Sequence, residues 1–82
     1  MTLYQFKHLQ HSNKKETLWS KGEHIASRYH DQYSVTLWQI GSFYVEVYYD
    51  LVHSKINSFE SFDGGQHLDP WLEQVDISSL FN

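Results

Sequence analysis

Six histidines in a chain of 82 residues are the first candidates for chemistry. Imidazole serves both as a metal ligand and as a general base near neutral pH. His8 and His11 are three apart, a spacing that places both rings on one side of a helix. His24 and His30 share a strand face but stand about 20 Å apart at ~3.3 Å per residue. A transition-metal site needs three or four convergent ligands. The chain has no cysteine, no HExxH pattern and no His-rich tract, so no metal ligand is assigned. The histidines read as exposed or hydrogen-bonding side chains. Nucleophilic catalysis fares no better. There is no GxSxG, and Ser27 or Ser34 beside His24 or His30 is a pairing that any strand yields by chance. The carboxylates Asp63, Asp69, Glu73 and Asp76 are neighbours only in sequence, and Asp69 is explained as a helix cap. Gly64-Gly65 lacks the strand–GxxxxGK–helix context of a phosphate loop. No catalytic or cofactor-binding residue is assigned, and an enzyme or metal-dependent binder ranks last among the readings.

The elements that would position any site begin with Met1 to Leu9, a short helical or irregular segment packing Leu3 and Phe6 onto the body. In the following HSNKKETLWSKG, Ser12 and Asn13 are good N-caps, and Asn13 with Glu16 has the form of a capping box. Leu18 and Trp19 are expected to dock this helix, with Lys14, Lys15 and Lys21 in water and Gly22 supplying a left-handed terminus.

After Gly22 the apolar period changes to two. Residues 23–30, 33–40, 43–50 and 55–62 read as four strands joined by DQ, GS and LVHS, connections short enough to allow only an antiparallel 1-2-3-4 meander. Gly41-Ser42 suits a type II′ turn; Asp31-Gln32 suits a two-residue turn less well and leaves room for a longer loop. The tail holds a Gly-Gly loop and then Asp69-Pro70, an N-cap followed by proline at the first helical position. Trp71, Leu72 and Val75 give that helix its apolar side, with Ile77, Leu80 and Phe81 packing beyond it. The expected architecture is α+β: a four-stranded antiparallel sheet with the N- and C-terminal helices packed on one face.

Composition agrees with one domain spanning 1–82. Hydrophobic content is 40%, aromatic 17% and charged 20%, so rings must supply much of the core. No signal-peptide core and no membrane-length apolar run is present, and the expected location is the cytoplasm. Residues 1–41 carry five basic and three acidic side chains, and residues 42–82 one and seven, giving halves of +2 and −6 within the net −4. That balance disfavours nucleic acid, whose proteins concentrate lysine and arginine.

Strand alternation sets Ile25, Trp38, Ile40, Phe43, Val45, Val47 and Tyr49 on a core face. The second face receives His24, Ala26, Arg28, Val35, Leu37, Gln39, Tyr44, Glu46 and Tyr48. Ile56 and Phe62 share parity in the fourth strand and Phe59 does not, a conflict that a bulge could resolve. FYVEVYYD (43–50), SFESF (58–62) and LDPWLEQVD (68–76) resemble a group of short uncharacterised bacterial α+β proteins with no assigned activity. The resemblance covers residues 3 to 80. Its motifs are a strand, a strand end and a helix cap, so it implies the fold and carries over no functional residue.

The second face is the candidate interaction surface: Arg28, Val35, Leu37, Tyr44, Glu46 and Tyr48. Its apolar, tyrosine-bearing centre has the composition of an interface core, with Arg28 and Glu46 placed to pair across Leu37. The expected function is a small non-enzymatic interaction domain. Its partner would be a protein or a second copy of itself, bound through this face or along an edge strand. Single-stranded nucleic acid, stacked on Tyr44 and Tyr48, is the alternative. Glu46 between those rings and Glu60 beside them would repel phosphate.

Overall fold

The structure is a computed structural model that describes residues 1–74, apart from the side chains of residues 73 and 74. Thr2 opens the first helix, α1 (Leu3–Lys7), with a capping box of its own. Its hydroxyl accepts from the Gln5 amide at 3.1 Å while the Gln5 side chain accepts from the Thr2 amide at 2.9 Å. Phe6 is fully buried. Helix α2 (His11–Lys21) starts earlier than the Ser12 and Asn13 caps suggest. Gln10 precedes it without a side-chain cap, which puts Ser12 and Asn13 inside the first turn.

The docking of α2 also differs from expectation in two respects. Leu18 is fully buried, but Trp19 remains 57% exposed, lying on Trp38 with ring centroids 5.7 Å apart. Gly22 is extended, at φ −83° and ψ 152°, rather than left-handed. Glycine is needed there for room: a Cβ would lie 2.6 Å from the Leu18 carbonyl oxygen and 3.2 Å from the Trp38 ring.

Strands β1 (Glu23–His30), β2 (Tyr33–Ile40), β3 (Phe43–Asp50) and β4 (Lys55–Phe62) form one antiparallel sheet in the order β1-β2-β3-β4. The β2–β3 register is the one the Gly41-Ser42 turn dictates: Ile40 opposite Phe43, Trp38 opposite Val45, Leu37 opposite Glu46 and Val35 opposite Tyr48. Gly41 has φ +56°, the left-handed backbone that a type II′ turn asks of its first central residue. Asp31 occupies the matching place in the first hairpin at φ +53°. Aspartate tolerates that region, so the loop stays at two residues.

Two bulges adjust the outer strands. One falls between His24 and Ala26. It turns Ile25 to the second face, where it packs against the cluster of Val35, Leu37, Phe62 and Trp71, and brings His24 to the first face, edge-on to Trp38. Both placements reverse the simple alternation. The other bulge falls at Asn57 and lets Ile56, before it, share the first face with Phe59, while Phe62 reaches the second.

The sheet is covered on both sides. Phe6 and Leu18 of the N-terminal helices close over Ile40, Phe43, Val45, Val47 and Phe59 on the first face. The chain then passes through a 3-10 turn (Gly65–Leu68) directly into α3 (Asp69–Gln74). Asp69 is already helical, at φ −54° and ψ −45°, and is not an extended N-cap. Trp71 packs with Val35, Leu37 and Phe62, so the C-terminal helix lies on the second face, opposite α1 and α2. The single-face arrangement is corrected accordingly. The physical reason is the apolarity of that second face: Val35 and Leu37 sit at the centre of the sheet and require cover. Val75, Ile77, Leu80 and Phe81, expected to extend this packing, lie outside the described residues.

Candidate functional site

The six residues of the predicted interaction face do come together, under Trp71. Val35 and Leu37 are buried beneath the indole, and Glu46 is only 7% exposed. The indole N–H donates to Glu46 Oε2 at 2.7 Å. The Arg28 guanidinium carbon lies 4.9 Å from the centre of the Trp71 ring, a cation–π distance. Arg28 and Glu46 therefore make no ion pair; each contacts the tryptophan instead. Tyr44 stacks on Phe62 and Tyr48 meets Tyr33 edge-on, both half-buried at the rim. Burial raises the Tyr48 phenol above its ordinary 10.0, and the Glu46 charge adds to the rise while the Arg28 guanidinium opposes it. The apolarity that marked this face in the sequence is thus largely used within the chain.

The histidines are spread among separate local roles. His8 Nδ1 is 2.8 Å from the Tyr4 carbonyl oxygen. His67 stacks on Phe62, and His30 stands 3.5 Å from Asp31 in solvent. Among the described residues, no three of His, Asp and Glu converge on a point that could hold a metal ion. His24 Nε2 does reach Ser27 Oγ at 2.8 Å, the one nucleophile–base contact of the described residues. The pair is exposed, and no carboxylate appears among the hydrogen bonds of the other ring nitrogen to orient it as a catalytic base requires. Its position across the β1 bulge gives it a structural use.

His53 belongs to the most connected polar cluster. The Asp50 carboxylate accepts from the Val52 and His53 amides at 2.9 and 3.1 Å, and from Gln32 Nε2 at 3.3 Å. His53 Nδ1 lies 2.8 Å from its other oxygen. Burial alone would raise this carboxyl, but the His53 ring, the two amides and Gln32 together hold it down at about 2. Asp50 ties the β3–β4 turn to the β1–β2 turn, which Leu51 also does by donating to the Gln32 carbonyl at 2.8 Å.

An accessible aromatic surface lies on the other side of the sheet. Tyr29, Ser34 and Tyr49 are cross-strand neighbours there, and Tyr29 and Tyr49 are 78% and 38% exposed. This shelf runs into a groove of about 600 Å³ between α2 and the β3–β4 hairpin. His11, Lys15 and Trp19 line it from the helix, Tyr49 and Lys55 from the sheet, and Val47, Ile56 and Phe59 form its floor. Little in the sequence pattern announces this site. Lys15 read as the wet side of a helix and Tyr49 as core, because neither composition nor period shows how far α2 reaches across the sheet.

Comparison with protein-family models, with curated proteins and with solved structures returned no match. The site must therefore be interpreted from its own chemistry. No helix among the described residues is long and apolar enough to cross a membrane.

Proposed function

We propose that the protein is a small non-enzymatic interaction domain that binds a protein partner on the half of the first sheet face left open by α1 and α2. The observation that carries this reading is the exposure of Tyr29, Tyr49 and Trp19 on this face, with Tyr49 and Trp19 lining a groove over an apolar floor. Tyrosine and tryptophan combine apolar area with a polar edge and are enriched at interfaces. The corresponding apolar centre of the second face is already filled by Trp71, which moves the expected binding surface from one side of the sheet to the other. Tyr29 also lies on β1, an outer strand that has β2 alone as its neighbour among the described residues. An extended partner segment on the shelf could therefore continue along the β1 edge.

Affinity capture from cells followed by crosslinking tests the reading, comparing the wild type with Tyr49→Asp. Tyr49 is exposed enough for the fold to tolerate the change, which circular dichroism would check. Partners captured by the wild type should be lost from the variant. Identical captures, together with a wild-type protein that sediments as a monomer, would sink the proposal.

A further inference from the structure

The groove between α2 and the β3–β4 hairpin has a charge character at odds with the chain that forms it. The protein carries ten acidic side chains against six basic ones. Yet His11, Lys15 and Lys55 line the groove, and no carboxylate does so among the described residues. The cationic groups stand on both walls, Lys15 on the helix and Lys55 on the hairpin, with the His11 imidazole beside Lys15 on the helix wall. Below them the floor is apolar, with Phe59 buried and His11 set edge-on against it at 5.2 Å. Lys15 Nζ lies 5.7 Å from the centre of the Trp19 ring, which holds one ammonium group over the rim.

We infer that this groove recognises an acidic peptide segment of a partner protein, with apolar side chains on the Val47–Phe59 floor and Glu or Asp carboxylates beside Lys15 and Lys55. This deepens the interaction reading above and rests on it. A peptide suits the site better than a small amphipathic anion because the space is an open groove, whereas small-ligand pockets bury most of their ligand. It also suits the site better than a nucleic acid. Two lysines can match a few carboxylates, but the net −4 of the chain repels a long polyanion.

The test uses arrayed synthetic peptides whose apolar positions vary among Leu, Ile, Phe and Trp. The remaining positions are all Glu, all Gln or all Lys. The intact protein should bind members of the Glu series in preference to their Gln and Lys counterparts, with affinity falling as salt is raised. The exposed pair Lys15→Glu with Lys55→Glu should weaken the best Glu peptide about tenfold and shift preference toward the Lys series. Equal binding of all three series would overturn the charge assignment while leaving a protein-binding groove. Binding of a single-stranded oligonucleotide in preference to every Glu peptide would overturn the peptide assignment. Failure of every peptide to bind would overturn it too, and the capture experiment with Tyr49→Asp would still judge the broader function independently.

Discussion

The indole N–H of Trp71 donates to Glu46 at 2.7 Å across 25 residues of sequence, and both groups are buried. This bond lets a carboxylate lie beneath the C-terminal helix, in the middle of an otherwise apolar face. It also ties α3 to the sheet.

Replacing Trp71 by phenylalanine should destabilise the protein more than lost ring area alone implies. The change removes the donor and leaves a buried carboxylate oxygen unsatisfied, at a cost of about 1–3 kcal/mol. Glu46→Gln keeps an acceptor for the indole and removes the like-charge repulsion with Glu60, directly opposite on β4, so it should cost less. Urea unfolding of the two variants checks the order. If Glu46→Gln proves the more damaging, the carboxylate charge matters more than its role as an acceptor.

The reach of sequence reasoning is visible at these same residues. Four strands, their turns and the β2–β3 register followed from period-two alternation and short connectors, because a two-residue Gly41-Ser42 turn leaves one pairing for the strands it joins. The convergence of Arg28, Val35, Leu37, Tyr44, Glu46 and Tyr48 followed too. What covers them did not follow. An apolar face reads the same whether a partner or the chain's own Trp71 closes it. The bulge at Ile25 was equally hidden, since EHIASRYH alternates acceptably in either register. Exposure of Trp19 and Tyr49 depends on how far α2 extends over the sheet, a tertiary property with no local signature.

Acid should unfold the protein in part through Asp50. Its carboxyl titrates at about 2 in the folded state against an ordinary 3.8. A depressed folded value means the charged form is favoured by folding. The stabilisation is therefore complete above pH 3.8 and fades as the pH falls toward 2. Urea midpoints measured across that window should drop for the wild type. In Asp50→Asn they should start lower at neutral pH and decline less, because the group that takes up the proton is gone. Parallel declines in both proteins would remove Asp50 from the explanation.

Alkali should act through Tyr48 in the opposite sense. Burial and the Glu46 charge raise its phenol above 10.0, so folding favours the neutral form. Its contribution is present below pH 10 and is lost as the pH rises through the higher folded value. Absorbance titration of tyrosinate should show one late-ionising group in the wild type, absent from Tyr48→Phe. The variant should also lose less stability on the alkaline side.

Gly22→Ala separates backbone preference from packing. At φ −83° alanine is conformationally allowed, and loss of chain entropy alone would stabilise the protein by about 0.4–1 kcal/mol. The new methyl group, however, would sit 2.6 Å from the Leu18 carbonyl oxygen and 3.2 Å from both the Leu18 side chain and the Trp38 ring. The Leu18 oxygen already accepts from the Gly22 amide at 2.9 Å, so the backbone cannot move aside without straining that bond. Overpacking of this kind costs about 1–3 kcal/mol, which outweighs the entropic gain. Net destabilisation, with altered fluorescence from the Trp19–Trp38 stack, is the expected result. A stabilised variant with unchanged emission would mean that α2 can lift from the sheet at little cost, and the groove beside it would then have an adjustable width.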